Sequence, residues 1–137
     1  MAYDRLDYGY MRMPGGTAIG DWVSIVGAVQ GSVGESANIE LFNWPIASAK
    51  RKTWEVTVQV EDTTSGEIES FKGLVQTFAL TECNWTEWAI IFTGSARIGE
   101  MGAEISGETC KIYYTNQQGG TVNLIVNFKA EILESDA

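Results

Sequence analysis

Four glutamates fall on the two arms of one expected hairpin: Glu55 and Glu61 in TWEVTVQVE, Glu67 and Glu69 in GEIESFKG. Facing carboxylates are the arrangement in this chain closest to bond-breaking chemistry, because glycoside hydrolysis needs two acids flanking a cleft. Little else supports turnover. There is no histidine, so the commonest general base and metal ligand is missing. Cys83 and Cys110 are the only cysteines and no CxxC occurs, which leaves no zinc-ligand set. They read as two free thiols, and their spacing leaves open whether they pair. No G-x-S-x-G elbow is present. The four glutamates alternate with apolar residues and are expected on a wet strand face, where charge is ordinary. The chain therefore reads as non-catalytic, with no cofactor and no metal.

Binding chemistry is the next possibility. Trp85 and Trp88, flanked by Asn84 and Glu87, stand in a polar connection where aromatic rings could stack on sugars. The competing reading is that most of the five tryptophans fill the core. Gly27, Gly31 and Gly34 do not form a phosphate loop, because no Gly-Lys-Ser/Thr follows.

The elements that must position these residues are mostly strands. TVNLIVNFKAEIL, residues 121–133, alternates Val122, Leu124, Val126, Phe128, Ala130 and Ile132 with mainly polar residues, the period-2 signature of a half-buried strand. Preceded by CKIYYT and a loop ending in Gly119-Gly120, it predicts a long C-terminal hairpin. Residues 53–61 and 67–80 predict a second, with Asp62 to Gly66 as the turn and Gly73 as a bulge or bend. WAIIFT, residues 88–93, is continuously apolar and predicts a central strand. Residues 94–107 carry four glycines and read as a mobile loop with one short strand at 103–105. Residues 44–52, WPIASAKRK, suit a short helix, with Pro45 at its first position and cations at its end. The fold class is all-β: two packed antiparallel sheets, as sandwich or barrel, with long hairpins and one short helix. Residues 1–20 form an N-terminal arm and 21–137 a single β domain.

The formal net charge is −9, and all of it lies beyond residue 52. Such a surface repels phosphate, so sequence-specific nucleic-acid binding is not expected. No apolar run is long enough to cross a membrane as a helix, and the N-terminus lacks the apolar stretch of a secretory signal. The arm instead carries Tyr3, Leu6, Tyr8, Tyr10, Met11 and Met13, a density of large apolar groups suited to packing on a neighbour. With Lys50, Arg51 and Lys52, and with Arg97, Ile98 and Met101 of the glycine-rich loop, these are the candidate subunit-interface residues.

This layout resembles small all-β bacteriophage virion proteins, tail-tube type first and head-decoration type second: an acidic, histidine-free chain with an N-terminal arm, one short helix and long hairpins. The resemblance implies a non-catalytic, self-assembling subunit in the virion, whose partners are copies of itself and other virion proteins. In tail-tube families two sheets and a helix form each subunit, and hairpin strands line a ring-shaped channel. That implies 53–61, 67–80 and 121–133 as ring-forming strands and Glu55, Glu61, Glu67 and Glu69 as lumen-facing acids. A tail-end virion protein is a further form of this reading, and a lectin-like sandwich binding sugar through Trp85 and Trp88 is the alternative.

Overall fold

The computed structural model describes residues 10–11, 21–46 and 51–135. Among these residues nine strands run in chain order: β1 (Tyr10–Met11), β2 (Asp21–Val33), β3 (Asn38–Pro45), β4 (Arg51–Asp62), β5 (Ile68–Phe78), β6 (Glu82–Phe92), β7 (Gly99–Ser106), β8 (Thr109–Asn116) and β9 (Val122–Ser135). They form two antiparallel sheets. The larger runs β1-β2-β9-β4-β5-β6, five long strands plus the two-residue β1, and the smaller runs β3-β8-β7. The all-β, two-sheet expectation holds. Among the described residues there is no helix. Trp44 and Pro45 end one strand and Arg51 and Lys52 begin another, so the helix expected over 44–52 is not formed at either end, and 47–50 lie outside the described residues.

The core follows from strand periodicity. Trp54, Val56, Val58 and Val60 of β4 and Leu124, Val126, Ala130 and Ile132 of β9 are buried against Met101 and Ala103 of β7 and Ile112 and Tyr114 of β8. Each such aliphatic contributes about 1.5–3 kcal/mol relative to exposure, which is why one face of each sheet closes on the other. Gly27 allows a close approach: a Cβ there would lie 2.6 Å from Cζ of Phe128, whose ring stacks on Phe42 of the other sheet at 5.3 Å. The β4–β5 hairpin forms as expected, its turn held by Asp62 Oδ1, which accepts the amide protons of Thr64 (3.0 Å) and Ser65 (3.4 Å), and by Gly66 at φ 79°.

The topology departs from the sequence reading in four places. β8 and β9 are not a hairpin; β8 lies between β3 and β7, while β9 lies between β2 and β4. Asn116 marks the crossover. Its buried amide donates to Val33 O (3.0 Å), Gly34 O (3.1 Å) and Gly120 O (2.8 Å), so the connection changes sheets without leaving a polar group unpaired. β6 is an edge strand, not a central one, and it starts at Glu82, so Trp85 lies in a strand rather than a connection. Residues 99–106 of the expected loop form a regular strand. Gly73 is in register with Val56 and Glu87, its missing side chain replaced by Met101, while the bulge falls nearby, where Ser70 and Lys72 pair with Ile91 and Trp88.

Candidate functional site

Glu69 does not face water. Along β5 the inward positions are Glu69, Phe71, Gly73, Val75 and Thr77, and the outward ones Ile68, Ser70, Lys72, Leu74, Gln76 and Phe78. The apolar positions around it fix the strand's face, and Glu69 is carried inward to full burial. A buried carboxylate is tolerated only with its lone pairs occupied. Oε1 accepts from the amide of Ile98 (2.8 Å) and the hydroxyl of Tyr114 (3.0 Å). Oε2 accepts from Nε of Arg97 (2.9 Å) and also from its Nη2. The same guanidinium donates through Nη1 to Glu87 Oε1 (3.1 Å) and through Nη2 to Oε2 (2.8 Å), while Glu87 Oε2 also accepts the amide of Met101 (3.1 Å). Arg97 lies 5.1 Å over the ring of Phe71. Burial would lower its pKa, but the hydrogen bonds and charges of Glu87 and Glu69 outweigh that and raise it.

This is a clasp between layers. Glu69 and Glu87 belong to β5 and β6 of the large sheet, and the amides they receive, of Ile98 and Met101, lie just before and within the start of β7, the edge of the small sheet. The carboxylates thus cap an open strand edge that would otherwise leave donors bare. Their lone pairs are committed to fixed donors, which suits holding a shape rather than moving a proton.

The other expected site residues are scattered. Glu55 and Glu61 face outward; Glu55 lies 3.4 Å from Nζ of Lys72, on the surface. Glu67 accepts from Oγ1 of Thr93 (3.1 Å) just before β5. The four acids do not share a face, so the lumen-lining expectation fails for Glu69. Ile98 and Met101 are buried in the core and Arg97 is held in the clasp, so the bridging role expected of that loop is not available to them. Lys52 is buried too, donating to Pro45 O and lying 5.9 Å from the Trp44 ring, while Arg51 is 5.1 Å over Phe78. Lys50, Tyr3, Leu6, Tyr8 and Met13 lie outside the described residues. Tyr10 and Met11 pair with Val23 and Trp22 of β2. The ring-forming strands expected over 53–61, 67–80 and 121–133 are β4, β5 and β9, and each has a neighbour on both sides.

Open edge falls elsewhere. β6 has no neighbour beyond it among the described residues, and it exposes Trp85, Trp88, Ile90, Ile91 (68%) and Phe92. Trp85 pairs with inward-facing Val75 and Trp88 with outward-facing Lys72, so the two tryptophans look to opposite sides and do not make one platform. Trp85 instead shares a groove with Tyr113 of β8. The thiols of Cys83 and Cys110 meet between the sheets and are free; their mutual hydrogen bond lowers the pKa of Cys83 and, ahead of burial, raises that of Cys110. The clasp was within reach of sequence reasoning, because Glu69 shares its parity with Phe71, Val75 and Thr77. The groove was not, because it joins strands of different sheets.

Among the described residues no group of three or more metal-ligating side chains occurs, and no helix is long and apolar enough to cross a membrane. No family model and no curated protein matches the chain. Among solved structures, it is similar to a tailspike protein of Acinetobacter baumannii phage AM24, with a TM-score of 0.43 and 10% identity over 80% of this chain. The likeness takes in 26% of the tailspike's length, and it is one of strand layout alone.

Proposed function

We propose that this chain is a non-catalytic structural subunit of a bacteriophage particle that assembles with copies of itself through the open edge of β6. The observation that carries the assembly reading is that edge. Monomeric sheet proteins blunt their edges with charge, proline, bulges or a covering element; β6 carries one bulge, yet among the described residues it presents Trp88, Ile90, Ile91 and Phe92 beside unpaired backbone. The phage assignment rests on the layout resemblance. Tail tube is its specific form, although its helix is absent from the described residues and its expected ring strands are interior. A ring would instead close head to tail, β6 of one copy beside β2 of the next, because among the described residues β2 is paired on its far side only at Trp22 and Val23. Head decoration and a tail-end role use the same edge with different particle shapes.

Light scattering after size exclusion, followed by negative-stain microscopy, tests this. The expected result is a multimer, as rings or tubes, that Ile91→Lys reduces to the monomer mass without lowering the melting temperature. A wild-type monomer at high concentration overturns the reading. An Ile91→Lys assembly of unchanged size overturns the role of β6.

A further inference from the structure

The geometry points to a carbohydrate site in the groove between β6 and the outer face of the small sheet, shaped for a neutral pyranose ring. The groove encloses about 390 Å³, within the range of roughly 300–1,000 Å³ common to small-molecule sites. Trp85 and Glu87 form one wall, Tyr113 and Thr115 the other, and β7 forms the floor at Met101 and Gly102. The Tyr113 ring sits over the floor at Gly102 for a packing reason. A Cβ at Gly102 would lie 2.6 Å from the Tyr113 ring, so glycine lets that ring lie flat across β7.

A pyranose has an apolar C–H face and a rim of hydroxyls. Trp85, 46% exposed, offers an aromatic surface for the first, as in other sites where one face is apolar and the other wet. Thr115 and exposed Glu100 line the same groove, and their oxygens suit the second, since a carboxylate can accept from two adjacent hydroxyls. The charges weigh against an anionic ligand. The Glu87 charge is already answered by Arg97 at 2.8 Å, and Tyr113 already carries Lys111 5.7 Å over its ring, which leaves exposed Glu100 as the charge a guest meets. Glu100 would repel a uronic acid. Burial, then the charge of Glu104, raises the Tyr113 phenol, so it stays a hydroxyl donor at neutral pH.

Saturation-transfer NMR on the full chain tests it, with methyl β-glycosides of glucose, galactose, mannose and N-acetylglucosamine as probes. The expected result is transfer to the ring C–H protons of at least one, lost by tenfold or more in Trp85→Ala and kept in Trp88→Ala, whose side chain lies on the opposite face. Methyl glucuronide is expected to bind more weakly than methyl glucoside. Should Trp85→Ala fold poorly, Glu100→Ala serves, with several-fold weaker binding at an unchanged melting temperature. Absence of transfer to all four probes, equal loss in Trp88→Ala, or preference for glucuronide overturns the proposal.

Discussion

Glu69 and Glu55 carry the same carboxylate on adjacent strands, and their surroundings make them different residues. Glu69 is buried under four donors, while Glu55 and its partner Lys72 keep 44% and 43% of their side chains in water. Exposed ion pairs contribute about 0–1 kcal/mol, whereas removing one member of a buried, hydrogen-bonded pair costs about 3–5 kcal/mol. Arg97 is partly exposed, so Glu69→Ala is expected at the lower end, about 3 kcal/mol, with Glu55→Ala within about 0.5 kcal/mol of wild type. Urea denaturation measures both, and equal midpoints would refute the clasp. Tyr114 adds a pH dependence. Burial, then the charge and hydrogen bond of Glu69, raises its phenol above the ordinary value of about 10. The folded chain then holds a proton that the unfolded chain releases. Stability is fully present below about pH 10 and falls as pH rises beyond it. Tyr114→Phe is expected to flatten that alkaline decline, read as the change in urea midpoint between about pH 9 and pH 11.

Strand β6 carries one strained residue, at its bulge. Its bulge places Ala89 at φ 53°, a left-handed conformation that costs an L-residue about 1–2 kcal/mol. Glycine adopts it freely, though it loses more entropy on folding. Ala89→Gly is therefore expected to raise the melting temperature by about 2 °C and Ala89→Val to lower it, since branching at Cβ aggravates that conformation. A calorimetric scan of the two variants decides it, and a drop for glycine would mean that the bulge is not strained. The bulge also sets what the strand displays. Because β6 carries one more residue than β5 between these pairs, Trp88 and Ile91 both look outward although they are three positions apart.

For the molecule as a unit, the placement of strands decides where copies could join. β4, β5 and β9 have their backbone groups answered on both sides, so their outward acids can tune charge but cannot pair a neighbour's strand. Outward changes such as Glu61→Gln are accordingly expected to leave the light-scattering mass unchanged, in contrast to Ile91→Lys on β6. Deletion of residues 1–16 asks separately whether the aromatic arm contributes, and a monomer from that deletion with β6 intact would move the joining surface to the arm.

Strand content, the β4–β5 hairpin with its Asp62–Gly66 turn, and the alternating core of β4 and β9 were all legible in the chain. Each depends on a local rule: period-2 patterning or turn chemistry. Which strands become neighbours is not local. CKIYYT and TVNLIVNFKAEIL look like two arms of a hairpin because they are adjacent and share a glycine loop, yet each buries its apolar face better in a different sheet. WAIIFT reads as interior because it is apolar, and only the assembled sheet shows that no strand lies beyond it among the described residues. The helix expected over 44–52 lost at both ends to strand pairing, since about two turns of helix cannot stand without packing. Local pattern chose the element types and most of their inward faces. Long-range pairing chose the edges, the Glu69–Arg97–Glu87 clasp and the Trp85–Tyr113 groove, because each joins residues whose proximity no local spacing encodes.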